Sequence, residues 1–258
     1  FFFVLISCQS AMTVEVGGEE PTVLTPQLQY VRPVVKEEAT ASPKLDLIDI
    51  EGPAVPTSKR SFDATEAFII ENLLSPEECA ELRAAAHEMG YSYWNPDPEK
   101  KDFRNADTVE ITHKGLADRL WSRLKQHIVP MVEFKEGDKR CETGMDGCWH
   151  AIGCSSNLLF VKYGPGGHFS PHTDGYTIHD FNCRSLYSML VYLNDCPDGG
   201  GTSLLHSQEG YIRDSDGRYR WNADCLMDRA PCREGTCLVF FQDLPHEGEP
   251  VGEGCEKI

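Results

Sequence analysis

No stretch of this sequence approaches the ~20 consecutive apolar residues that cross a bilayer as a helix. The apolar run at the start, Phe1–Ile6, is far too short. Basic residues are scarce: 24 Lys and Arg stand against 41 Asp and Glu, for a formal charge of -17. Binding to a phosphate backbone runs on clustered cations, so nucleic acid is not expected as a partner. Among the eleven cysteines no CxxC pair occurs and the count is odd, which leaves the redox compartment open, the cytoplasm favoured over a secretory lumen. Internal repeats are also missing. The chain lacks an initiator Met, and Phe1–Ile6 reads either as the tail of a clipped targeting segment or as sequence upstream of Met12.

What is present is enough chain, 258 residues at 40% hydrophobic content, for one good-sized domain with extensions. Residues 17–60 are rich in Pro, Glu, Thr and Val without sustained period, so residues 1–60 are expected to be a disordered tail or linker. The domain proper is expected over 61–258. It begins with an apolar run, Ala67–Ile70, followed by a helix start at Ser75-Pro76-Glu77-Glu78: a capping Ser, Pro at the first helical position, Glu three residues after the cap. Leu82, Ala85, Ala86 and Met89 form its apolar stripe and Gly90 ends it. Leu116, Leu120, Leu124 and Ile128 recur at four-residue spacing and predict a second helix, stopped by Pro130.

After Trp149 the pattern changes to short β-rich runs broken by Gly, Pro, Asn and Asp: 158–163, 168–172, 186–193, 202–206, 211–221 and 236–241. Strands at this spacing imply a sandwich or barrel. His172 and Asp174 stand two apart at the end of one such strand, so their side chains share a face and can meet one ion. Alone, the pair is weak and reads more readily as a surface His beside a turn Asp. His246 adds a third ligand where another strand, Cys237–Phe241, emerges into a turn. Two imidazoles and one carboxylate on one face of an octahedron leave three positions open, as non-haem Fe(II) oxygenases require, although the same set also suits zinc. Two open positions would take a 2-oxo acid and the third O2. The far carboxylate of such a cosubstrate needs a cation, and Lys257 is placed to supply it.

These residues sit in a longer pattern. It runs from Asn157 through Tyr163-Gly164-Pro165-Gly166-Gly167-His168-Phe169 to His172-Thr173-Asp174-Gly175, and on through Arg184-Ser185-Leu186 and Leu190-Val191-Tyr192-Leu193-Asn194-Asp195. Gly199-Gly200-Gly201-Thr202, Arg233-Glu234-Gly235-Thr236, His246-Glu247-Gly248-Glu249-Pro250-Val251 and Glu256-Lys257 complete it. Over about 151–258 the chain resembles the 2-oxoglutarate and Fe(II)-dependent dioxygenases of prolyl 4-hydroxylase type. The resemblance implies an α+β, mainly β fold: a double-stranded β-helix, or jelly roll, with supporting N-terminal helices. It implies Fe(II) on His172, Asp174 and His246, 2-oxoglutarate anchored by Lys257, and O2 as co-reactant, with ascorbate an optional addition. Tyr163, Tyr192 and Arg184 match positions of the cosubstrate pocket.

The activity implied is hydroxylation of a C–H bond, with proline or another side chain of a peptide or protein as first candidate substrate. Leu158, Phe160, Leu190 and Phe240 are candidates for an apolar wall, and Arg104, Asn105 and Trp149 for substrate contacts. The family pattern continues past the position of Ile258, so the chain reads as C-terminally truncated. Three alternatives stay open: hydroxylation of a small molecule, a non-catalytic module on the same barrel, and a zinc hydrolase.

Overall fold

In the computed structural model, described residues are 2–8, 41–48, 50, 55–95, 97–180, 182–206, 212, 213, 219–221 and 223–258. Strand content dominates, and every pairing is antiparallel. An eight-stranded sheet runs in the order Ser58–Ser61, Phe68–Glu71, Cys237–Phe241, Cys183–Val191, Phe2–Cys8, Gly147–Cys154, Met131–Phe134, with Ile178–Asp180 pairing Cys183–Val191 off this path. A five-stranded sheet has the order Leu226–Ala230, Thr202–Leu205, His246–Gly248, His168–His172, Arg104–Asn105. Together they form a double-stranded β-helix.

Alternation along the strands explains how one sheet serves two cores. Ile69, Leu238 and Phe240 face a cluster shared with Leu204 and Ala230 of the smaller sheet. Their neighbours Phe68, Ile70, Cys237 and Val239 face the other way, onto a cluster with Leu82, Ala86, Leu116 and Leu120 of the helices. A period of two sends alternate residues to opposite faces. A side chain buried on either face contributes ~1.5–3 kcal/mol.

Both expected helices are present. Pro76–Met89 opens with the anticipated capping box: Ser75 Oγ accepts from Glu78 N at 3.2 Å, and Glu78 Oε2 accepts from Ser75 N at 2.7 Å. It closes at Gly90, whose φ of 84° lies where side chains are disfavoured. The second helix, Lys114–Leu124, ends four residues short of the anticipated Ile128, because the chain turns at Lys125–His127 while Ile128 remains buried. The apolar spacing therefore marks burial beyond the last helical turn. Among the described residues no helix is long and apolar enough to cross a membrane.

The expected tail contributes to the fold. Phe2–Cys8 pairs with Cys183–Val191 on one side and Gly147–Cys154 on the other, as a run of aromatic and β-branched residues does when it finds two open edges. Leu45, Ile48 and Ile50, in and beyond a short helix Lys44–Leu47, are buried in the helical core. Residues 9–40 lie outside the described residues, as does most of the interval between the short strands Ile212–Arg213 and Tyr219–Arg220 that replace the anticipated 211–221 run.

Candidate active site

The His168–His172 strand runs beside His246–Gly248 with His172 directly opposite His246. Their ring centroids lie 4.2 Å apart. Asp174 follows two residues beyond the strand end, where its backbone N–H donates to the Gln242 carbonyl at 2.9 Å. Asp174 Oδ1 lies 3.5 Å from His172 Nε2, and Asp174 Oδ2 lies 3.7 Å from His246 Nε2. All three ligand atoms are within 4.8 Å of one another.

Hydrogen bonding fixes which ring nitrogens are available. His172 Nδ1 lies 2.7 Å from the Ser170 carbonyl and His246 Nδ1 lies 2.9 Å from the Leu244 carbonyl. A carbonyl can only accept, so each ring carries its proton on Nδ1 and turns the Nε2 lone pair toward Asp174. His172 Nε2 is buried and makes no hydrogen bond. Three acceptors thus converge with no proton between them, an arrangement that a cation satisfies and protein groups alone do not. Burial, reinforced by the neighbouring His172, lowers His246 to about 4, so it is neutral and ligand-ready at neutral pH. Burial works to raise Asp174, but His246, His172 and a hydrogen bond from Ser188 outweigh it and hold the carboxyl below its ordinary value.

The cluster opens into a cavity of about 380 Å³. Lys257, Tyr163, Tyr192 and Arg104 line it together with the three ligands. Lys257 is placed by a backbone bridge to Tyr163, N–H to carbonyl in both directions at 2.8 and 2.9 Å. Its ammonium lies 5.3 Å from the centroids of both the Tyr163 and Tyr192 rings, and among the described residues no carboxylate is within ion-pair distance of it. The Tyr192 hydroxyl is bonded to Thr202 Oγ1 at 2.8 Å, and burial pushes its pKa up. Of the anticipated apolar wall, Phe160 and Leu190 line the cavity, as do Leu159 and Val161. Leu158 faces the helical core instead, and Phe240 packs edge-on against His246 with centroids 4.5 Å apart.

Three sequence candidates lie off the cavity lining. Arg184 places its guanidinium 5.1 Å over the Trp149 ring. Trp149 is buried, with Nε1 donating to the Met145 carbonyl at 3.0 Å. Its strand, Gly147–Cys154, is separated from the Cys183–Val191 strand by Phe2–Cys8, so preceding the core strands in sequence does not bring Trp149 to the mouth. Asn105 pairs with His168 at the edge of the smaller sheet. Arg104 beside it does reach the cavity, its guanidinium 4.6 Å over Phe169.

Phe169, Phe103, Ser188 and Gln242 were not singled out from the sequence. Phe169 stacks on His172 at 3.6 Å and 19°, and Phe103 meets Phe169 edge-on at 5.3 Å, so an aromatic wall backs one ligand. Ser188 donates to Asp174 Oδ2 at 2.5 Å. The signal for Ser188 was a polar residue inside the apolar run 186–193.

Residues 158–258 match the family model of the 2OG-Fe(II) oxygenase superfamily. No curated protein matches the chain. Among solved structures, a prolyl-4-hydroxylase from Pseudomonas putida is similar at 17% identity and TM-score 0.40, covering 83% of this chain and 95% of that one. HygX from Streptomyces hygroscopicus, with nickel and 2-oxoglutarate bound, is similar at 16% identity and TM-score 0.40, covering 76% and 81%. The carbocyclase SnoK from nogalamycin biosynthesis, described as non-heme and alpha-ketoglutarate-dependent, is similar at 15% identity and TM-score 0.42, covering 75% and 77%. The matched segment, residues 158–258, holds all three converging ligands and the cavity lysine, and it is this segment that is similar to the 2OG-Fe(II) oxygenase superfamily, whose chemistry uses Fe(II), 2-oxoglutarate and O2.

Proposed function

We propose that the protein hydroxylates a C–H bond of a peptidyl proline or another protein side chain, with conversion of 2-oxoglutarate to succinate and CO2. The observation that carries this is the convergence of two imidazole Nε2 atoms and one carboxylate at a cavity that also holds a lysine with no carboxylate partner among the described residues. When bound, Fe(II) would supply the oxidative chemistry with O2 and the cosubstrate. His172, Asp174 and His246 would hold it, each Nδ1–H bond to a carbonyl fixing the ring that ligates.

Lys257 would take the far carboxylate of 2-oxoglutarate. A buried anion requires a charged partner, and the two tyrosine rings flanking the ammonium restrict where it can swing. Leu159, Phe160, Val161 and Leu190 keep that part of the cavity dry. Arg104 and Phe103, which line the same cavity, are the substrate-contacting residues in this proposal. Arg104 Nε is buried without a hydrogen-bond partner, consistent with an acceptor arriving with substrate, such as a peptide carbonyl.

The test is an anaerobic titration with Fe(II) and 2-oxoglutarate, followed by exposure to air with proline-containing peptides. A weak visible charge-transfer band, succinate release and a mass gain of one oxygen on peptide are expected. Absence of both band and succinate overturns the oxygenase assignment for this chain, while succinate without peptide modification overturns only the peptide substrate and favours a small molecule.

A further inference from the structure

The Fe(II) assignment leaves open why Asp174, which lies past the end of its strand, should present a single oxygen to the metal. Its neighbours supply an answer. Ser188 is fully buried in the Cys183–Val191 strand, amid an apolar run. It stands two and four residues before Leu190 and Tyr192, both of which line the cavity, so the alternation of the chain turns all three to one side. A buried hydroxyl requires a partner, and this one donates to Asp174 Oδ2 at 2.5 Å. From the other side, Gln242 grips the same loop twice: its carbonyl accepts from Asp174 N at 2.9 Å, and its Nε2 donates to the Gly175 carbonyl at 3.3 Å.

We propose that Ser188 is a positioning residue for the metal site: it occupies Asp174 Oδ2 and so presents Oδ1 as a one-oxygen ligand. This rests on the metal-binding assignment of the His172, Asp174 and His246 cluster. Two consequences follow from the geometry. The carboxylate is prevented from turning about its terminal bond, which the loop backbone alone does not restrain. It is also prevented from chelating through both oxygens, which would take up a coordination position that a bidentate cosubstrate and a third reactant need. Partners of this kind commonly contribute ~10–100-fold to metal affinity although they never touch the ion.

Co(II), which reports its coordination through visible absorption, is the probe, titrated without O2 into the wild-type chain, Ser188→Ala, Asp174→Ala and the double variant. Ser188→Ala is expected to weaken Co(II) by ~10–100-fold and to change the visible spectrum of the Co(II) and 2-oxoglutarate complex. In the Asp174→Ala background the serine change is expected to have no further effect, since it acts through that carboxylate. Wild-type affinity and spectrum in Ser188→Ala overturn the proposal while leaving the metal site standing. An equal loss in both backgrounds also overturns it, because the serine then acts on the fold at large. Failure of the wild type itself to bind Co(II) sinks the metal site, and the serine's role with it.

Discussion

His172 and His246 face each other across paired strands with both Nε2 lone pairs turned to Asp174, and each ring is held in that state by its own Nδ1–H bond to a carbonyl two residues before it. The site is therefore set for a cation before any arrives. What remains to be fixed by experiment is how much each neighbour contributes.

Replacing a ligand removes chemistry without removing fold. Asp174→Ala and His172→Ala are expected to reduce succinate formation to background while the far-UV spectrum and cooperative unfolding persist. Coupled assays of turnover and thermal unfolding check this, and wild-type turnover in either variant would show that the ion lies elsewhere.

Lys257 separates cosubstrate binding from chemistry. A hydrogen bond between charged groups contributes ~1.5–3 kcal/mol, so Lys257→Met is expected to raise the KM for 2-oxoglutarate by about 10- to 150-fold, with a smaller effect on kcat at saturation. Lys257→Arg should recover part of the loss, limited by the two tyrosine rings each 5.3 Å from the ammonium. Steady-state kinetics over a range of cosubstrate concentration distinguish this from a lysine that merely packs, for which KM would stay fixed.

The first capping box stabilises more than its own helix. Glu78 Oε2 accepts from Ser75 N at 2.7 Å, and the same carboxylate receives Arg123 of the second helix through two nitrogens at 2.7 and 2.8 Å. Arg123 is buried and also donates to the Leu73 carbonyl. Glu78→Ala leaves that guanidinium without its carboxylate, and a loss of about 3–5 kcal/mol is expected in denaturant unfolding, with kcat unchanged wherever the protein remains folded. Stability within 1 kcal/mol of wild type, on the order of an exposed pair, would show that solvent replaces the carboxylate.

That capping box was legible because it depends only on Ser75 and Glu78, three apart in the chain, and the helix end because Gly90 directly follows the apolar stripe. His172, Asp174 and His246 were legible because the first two stand two apart at a strand end, His246 follows the apolar Cys237–Phe241 run, and all three sit in one longer pattern. Arg184 and Trp149 lie off the cavity lining, because neither a matching motif position nor order along the chain tells which strand will lie beside which. The Phe2–Cys8 strand, by inserting between 183–191 and 147–154, separates Trp149 from the strand that reaches the cavity. Ser188 is a third case. Its polarity was visible, but its partner lies in a loop fourteen residues earlier, and only the fold brings the two together.

Acid should destabilise the metal-free protein through His246. Burial lowers its pKa in the folded state to about 4, against ~6.5 in an unfolded chain. Above ~6.5 the ring is neutral in both states and contributes no pH dependence. Between ~6.5 and about 4 the unfolded chain binds a proton that the folded one does not, so stability falls as pH falls through this window, by about 3 kcal/mol at most. Below about 4 both states hold the proton and this slope ends. The carboxyl of Asp174 is held below its ordinary value, in part by His246 itself. The check is denaturant unfolding of metal-free wild type and His246→Gln at intervals from about pH 7.5 to about 4, a range that brackets the folded and unfolded pKa values. The difference between the two curves should grow toward neutral pH, with the glutamine variant the flatter. Parallel curves would mean that His246 has the same pKa folded and unfolded, and that its burial does not disfavour the imidazolium.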